Sequence, residues 1–193
     1  MNTQIIDRIF RALRVTMFAP AVIVCATSLY MRAEAQQAVS APPLSIHSKM
    51  TTDAWDVFNN NLFDTAIAKA DACIQKFHIQ AEDTEKKLRE KKEVNTPADE
   101  IVEADWPKVF ARGPLNDVAT CYFIQGEANV ELWRKAEGVE KKALLIKAKK
   151  AYESAAALTY ARTWDLGKWF WDPAKTANQR LADTTIFQPS SKK

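Results

Sequence analysis

The chain has 193 residues, which allows one or at most two domains and is enough for a buried core without stabilising metals. Its formal charge is +3, but the first 35 residues hold four basic and two acidic groups, which leaves 23 basic against 22 acidic side chains. This near-neutral balance disfavours a general nucleic-acid-binding or anionic-membrane-binding function. With only four Gly and abundant Ala and Lys, the composition favours an all-α fold, because hairpin turns commonly need Gly.

The N-terminal segment has the order of a secretory signal peptide. Three arginines precede an apolar run over residues 15–30, and Ala33-Glu34-Ala35 supplies small residues where a signal peptidase cleaves. The alternative is a retained anchor, but this run contains Pro20 and is shorter than the ~20 residues that span a bilayer. We therefore predict cleavage after Ala35, a periplasmic or secreted destination, and no stable membrane span in the mature protein.

The mature chain is predicted to begin with a flexible lead, because residues 36–50 contain Pro42-Pro43 and no apolar periodicity. A helical domain over 51–187 follows, and residues 188–193 form a disordered tail. The first helix is expected to begin near Thr51 with a cap at Thr52 or Asp53. It is expected to end at Asn59-Asn60-Asn61, since Asn tolerates the left-handed conformation at a helix end.

The second helix is indicated by apolar residues at three- and four-residue spacing from Phe63 to Phe77. The charged stretch 80–93 is interpreted as an exposed helix extending from the core, supported by pairs such as Glu82 and Lys86. Residues 97–114 form a helix or an irregular turn.

Two more long helices are predicted over 115–133 and 143–158, with a charged break at 135–142 around Gly138. An aromatic loop follows, and Asp172-Pro173 then begins a last short helix, because a capping side chain followed by proline is typical of a helix start.

Small residues recur at fixed places in these helix pairs, and this pattern resembles the tetratricopeptide repeat, in which hairpins of ~34 residues stack on one another. Close approach of the helix axes requires such small residues, while bulky ones fill the groove between helices. About ten extra residues separate the helices of the second pair. The repeat-packing positions are Ala54, Phe58, Phe63, Ala66, Ala70, Gly126, Ala148, Tyr152 and Ala155.

The resemblance implies tetratricopeptide-like stacked hairpins with an extra charged helix and a C-terminal aromatic capping segment. It also places Cys73 against the helix that contains Cys121, so a disulfide between them is one interpretation, which export would favour. Two buried free thiols are the other. Because three or more repeats are usually needed for stability, either the extra helices cap the stack or the chain forms a homodimer.

The segments 116–121, 160–165 and 169–174 are similar to those of small exported bacterial repeat proteins, some of which carry the label "beta-glucanase precursor". The resemblance covers most of the mature chain. The label does not follow from these residues, because neither a Glu-x-Asp-x-x-Glu motif nor a β-sandwich pattern is present.

The aromatic segment is the first candidate ligand site. Trp164, Trp169 and Trp171 offer ring faces on which a sugar or a proline can stack, or they plug the exposed end of the helical core. Arg162 and Asp165 either orient a polar ligand or pair with each other.

Catalytic residues are not evident. His47, in the predicted lead, and His78, at a helix end, stand outside any recognisable constellation, and the acidic residues over 99–105 are interpreted as a solvated face. No cofactor or metal site is predicted. We expect an exported, non-enzymatic scaffold or adaptor that binds a protein partner, in envelope or polysaccharide handling. The alternatives are a carbohydrate-binding module using the tryptophan segment and a glucan hydrolase.

Overall fold

A computed structural model describes residues 45–165 and 169–183. The predicted signal peptide with its cleavage after Ala35, residues 36–44 of the lead, and residues 184–193 lie outside the described residues. The α-helices and strands in chain order are α1 (Ile46–Asn59), α2 (Phe63–Glu90), α3 (Trp106–Phe110), α4 (Gly113–Lys135), α5 (Gly138–Ala157), β1 (Thr163–Asp165), β2 (Trp169–Trp171) and α6 (Pro173–Ala182). Two short 3-10 helices, Ala98–Glu100 and Glu103–Asp105, lie between α2 and α3. The protein is mainly helical, as predicted from composition.

Helix α1 begins earlier than predicted. Ser45 caps it, with its hydroxyl accepting a hydrogen bond from the backbone N–H of Ser48, so the predicted start near Thr51 and the caps at Thr52 or Asp53 are wrong. The end of α1 is as expected, because Asn61 has a φ of 60° and reverses the chain there.

Helix α2 continues without a break from the apolar stripe into the charged stretch, over 28 residues. The charged segment is therefore not a separate helix. Its two halves differ in burial: Phe63, Ala66, Ala70, Cys73 and Phe77 are buried, whereas beyond Ala81 only Glu85 is buried. The second half of α2 extends past its core contact and presents polar side chains.

Helix α4 is central. It packs against α1, α2 and α5, and buried residues lie on nearly every side of it, as expected for a helix enclosed by others. Helix α5 begins at Gly138, where φ is +60°, so the predicted charged break is shorter than expected. Helix α6 packs against α5 and α4.

The predicted aromatic loop contains a two-stranded antiparallel hairpin, which the prediction of helices alone missed. Trp164 is opposite Phe170, and Thr163 is opposite Trp171. After the hairpin, the Asp172 side chain accepts a hydrogen bond from the Lys175 backbone N–H at 2.8 Å, which confirms the predicted cap of α6. Within 45–165 and 169–183, no helix combines the length and apolar character needed to cross a membrane.

Candidate functional site

An open groove of about 350 Å³ lies between the second half of α2 and the end of α5, with α4 as its floor. The α2 side of the groove is charged, whereas the α5 side has the small residues Ser154 and Ala157. This asymmetry arises because α2 continues beyond its apolar stripe, so the residues next to α5 are polar. The lining consists of His78, Glu82, Glu85, Lys86, Arg89, Val118, Tyr122, Ser154, Ala157 and Leu158.

Glu85 holds one end of the groove together. It is only 5% exposed, and its carboxylate accepts hydrogen bonds from the backbone N–H of Thr159 at 3.1 Å and of Tyr160 at 3.0 Å. The Thr159 hydroxyl donates to the same carboxylate at 2.7 Å, and Arg89 pairs with it at 2.9 Å. Glu85 therefore attaches the chain that follows α5 to helix α2, and its hydrogen-bonding capacity is used within the protein.

Tyr122 forms the floor of the groove and is half-buried. Burial raises the pKa of its hydroxyl, and the nearby carboxylates of Glu82 and Asp71 raise it further. Asp71 accepts a hydrogen bond from the side-chain amide of Gln125, one turn further along α4. The floor of the groove thus combines an aromatic ring with two nearby carboxylates.

The tryptophans predicted as a ligand site do not share one face. Successive residues of a strand point to opposite sides, so Trp164 and Phe170 lie on one face of the hairpin and Trp171 lies on the other. Trp164 packs against Trp106 and Phe170, each at 4.7 Å between ring centroids, and Trp171 packs against Phe123 at 5.2 Å. A single ligand cannot stack on both Trp164 and Trp171.

The roles predicted for Asp165 and Trp169 lie outside what the structure describes of their side chains; their backbones pair across the hairpin. Arg162 is 3% exposed and forms an ion pair with Asp172 at 3.2 Å. It also donates to Asn95 Oδ1 at 2.6 Å and to the Thr96 carbonyl at 2.9 Å. Burial lowers the pKa of Arg162, while Asp172 opposes that shift. The guanidinium is engaged within the protein and joins three chain segments.

The residues predicted to pack the repeats lie at contacts between helices. All of them are buried except Phe58, which packs partly buried against the core. The closest approach is between Gly126 of α4 and Tyr152 of α5, where an added Cβ would overlap the tyrosine ring. The Tyr152 hydroxyl donates to Glu127 at 2.8 Å, which holds the ring in that position.

We expect Gly126→Ala to lower the free energy of unfolding by about 2 kcal/mol, because the new methyl group forces Tyr152 out of its position. In an open helical site the same change would raise the free energy of unfolding by about 1 kcal/mol. A decrease in the free energy of unfolding would therefore indicate the clash. Urea unfolding of Gly126→Ala, Tyr152→Leu and the double variant measures the coupling. The overlap is refuted if Gly126→Ala has the same effect in both backgrounds.

Cys73 and Cys121 are both completely buried free thiols in adjacent helices. The Thr51 hydroxyl lies 3.8 Å from the Cys73 sulfur and 3.4 Å from the Cys121 sulfur. The hydrogen bond with Cys73, together with burial, raises the pKa of Cys121 well above its usual range. The same hydrogen bond is the main cause of a lowered pKa of Cys73, and the disulfide between the two residues stays a prediction.

Sequence reasoning placed His47 in a flexible lead, and this was wrong. His47 lies in the first turn of α1, its Nδ1 is hydrogen-bonded to the carboxylate of Asp117, and its ring contacts Phe77 edge-on. The Ser48 hydroxyl donates to the same carboxylate at 3.1 Å. These contacts anchor the start of α1 to α4, and no signal within one helix could have indicated a partner 70 residues away.

The groove itself was not predicted. Tyr122 falls within the helix predicted over 115–133 without a role of its own, and Glu82 was predicted only to stabilise its helix. The abrupt change of α2 from apolar to charged residues is the signal that could have indicated a wall facing solvent. Of the predicted acidic face, Asp99, Glu100 and Glu103 are exposed, and Asp105 pairs with Lys108 at 3.5 Å. No protein-family model, curated protein or solved structure matches this chain.

Proposed function

We propose that the mature chain is an exported, non-enzymatic scaffold that binds a segment of a partner protein in the groove between α2, α4 and α5. The observation that carries this proposal is the groove itself, which is open, has an aromatic and aliphatic floor, and has charged groups along one wall. Binding sites for peptides combine an apolar surface with a few placed polar groups in this way. Envelope or polysaccharide handling is the setting that the predicted export suggests.

The order of helix contacts supports stacking of the tetratricopeptide type. Helix α4 packs against both helices of the pair before it, and α6 packs against both α5 and α4. The same relation between one pair and the next element is thus repeated, as in proteins built from stacked helical hairpins. The 28 residues of α2 exceed one arm of a ~34-residue hairpin, and this extension supplies the charged wall of the groove.

The test is affinity capture from envelope extract of the source organism by the mature protein, residues 36–193. A matched pair of variants separates the groove from the rest of the surface: Ala157→Trp fills the groove, whereas Ala143→Trp places the same side chain on an exposed part of α5 outside it. We expect Ala143→Trp to retain the specific partner and Ala157→Trp to lose at least about 90% of it, since a tryptophan occupies much of the space a partner would enter.

Thermal unfolding followed by circular dichroism verifies that both variants are folded. Equal capture by the two variants would contradict binding in the groove. Failure of the wild-type protein to retain any specific partner would contradict the scaffold function.

A further inference from the structure

We propose that the groove recognises a cationic side chain, a lysine or arginine of the partner segment, held over the Tyr122 ring and beside the carboxylates of Glu82 and Asp71. This inference rests on the proposed function, because it assumes that the groove is where a partner protein binds. It adds the chemical class of the group that is recognised.

The first argument is the state of Tyr122. Its ring lines the floor of the groove and is partly exposed, so part of it is accessible to a ligand. Among residues 45–165 and 169–183 its hydroxyl has no hydrogen-bond partner, in contrast to Tyr152 and Tyr160, whose hydroxyls donate to Glu127 and to the Glu93 carbonyl. Tyr122 therefore offers a ring surface to a ligand, and no hydrogen bond of its hydroxyl to another described residue fixes it elsewhere.

The second argument is the charge balance of the α2 wall. Arg89 pairs with Glu85 at 2.9 Å, and Lys86 pairs with Glu90 at 3.9 Å, so these charges compensate each other. Glu82 has no ion pair within the described part of the chain. Glu82 is therefore the lining carboxylate without an ion pair, whereas the two lining cations, Lys86 and Arg89, are each paired with a carboxylate of α2.

The third argument is the position of Asp71. Eleven residues separate it from Glu82 on α2, which is about three helical turns, so the two carboxylates lie on the same side of the helix. Asp71 accepts a hydrogen bond from Gln125, which is one turn beyond Tyr122 on α4, so Asp71 lies beside the Tyr122 floor of the groove. In agreement with this position, Glu82 and Asp71 both raise the pKa of the Tyr122 hydroxyl. The only described partner of Asp71 is the neutral amide of Gln125, so its negative charge is also uncompensated.

An aromatic face bordered by carboxylates attracts ammonium and guanidinium groups, through the ring quadrupole and through direct charge attraction. The small side chains of Ser154 and Ala157 on the opposite wall leave room for the main chain of a peptide that carries such a group. A partner's lysine or arginine side chain satisfies both features at once.

The experiment is calorimetric titration of the mature protein with hexalysine, with hexalysine acetylated on every side chain, and with hexaglutamate. We expect binding of hexalysine alone, weakening as salt concentration rises. Glu82→Gln and Tyr122→Leu should each weaken hexalysine binding about fivefold, whereas Tyr122→Phe, which keeps the ring, should change it less than about twofold. The matched control is Glu140→Gln, which neutralises an exposed carboxylate at the far end of α5.

The inference is overturned if hexaglutamate or the acetylated peptide binds as well as hexalysine, or if Glu140→Gln weakens binding as much as Glu82→Gln does. Capture of the natural partner distinguishes the two proposals. A partner lost by Ala157→Trp but retained by both Glu82→Gln and Tyr122→Leu would leave the scaffold function standing and refute the cationic group. Hexalysine binding that depends on Glu82 and Tyr122, without any partner from extract, would support the cation site and refute the scaffold function.

Discussion

Arg162→Ala is expected to lower the free energy of unfolding by about 4 kcal/mol, because it removes one partner of a buried ion pair. The Asp172 carboxylate, only 15% exposed, would lose its cation while it still caps α6. The carbonyls of Thr159 and Ala161, which accept from Arg162 at 3.0 Å and 2.6 Å, would lose their donor as well. Several buried acceptors would thus be left unsatisfied by one substitution.

Urea unfolding monitored by circular dichroism measures this loss. Arg134→Ala is the matched control, since Arg134 is 46% exposed and pairs with Glu131 on the surface of α4, where such pairs contribute about 0–1 kcal/mol. Arg162→Lys should fall between the two, because lysine retains the charge but lacks the fork of donors. An equal effect of Arg162→Ala and Arg134→Ala would show that Arg162 does not join the segments as described.

Glu85→Ala is the second large change, with an expected loss of about 3 kcal/mol. The backbone N–H groups of Thr159 and Tyr160 would both lose the carboxylate that accepts their hydrogen bonds. Arg89 is 62% exposed and would be solvated, so the loss comes from the two N–H groups and the Thr159 hydroxyl. The chain after α5 should therefore detach locally from α2.

Hydrogen exchange gives this prediction a local readout. In Glu85→Ala, exchange should accelerate more at the amides of Thr159 and Tyr160 than at amides of the α4 core. Global destabilisation alone would not accelerate these two amides more than the core, so the difference reports local opening. Glu82→Ala serves as the control, because Glu82 is exposed on the same helix and its replacement should change stability by less than about 0.5 kcal/mol. Unchanged exchange at Thr159 and Tyr160 would refute the anchoring role of Glu85.

The groove is a feature of this protein that local sequence patterns cannot predict. Each wall residue was visible in the sequence as a helix position, but a groove depends on how far α2 and α5 diverge above α4. That divergence depends on contacts between distant residues. Glu85, for example, binds Thr159 and Tyr160, which lie 74 and 75 residues further along the chain. Helical periodicity reports which face of a helix is apolar and carries no information on such distant partners.

The arrangement of the aromatic segment likewise could not be predicted from its sequence alone. Trp164 and Trp171 both pack against other aromatic rings of the protein, and the capping and ligand-binding interpretations of this segment stay predictions. Strand pairing then placed these two residues on opposite faces, which the count of tryptophans could not show. The ion pair of Arg162 with Asp172 was not predicted either. The suggested pairing of Arg162 with Asp165 stays a prediction, because the structure does not describe the Asp165 side chain.

The sequence by itself determined the mainly helical fold, the chain reversal at Asn61 and the start of α6 at Asp172-Pro173, because these depend on interactions within about one turn of helix. Only the tertiary structure decided that His47 is anchored to Asp117, that Glu85 is buried, and that the charged half of α2 forms the wall of a groove over Tyr122. These features require residues far apart in the chain to meet, and their positions follow from how the helices pack together.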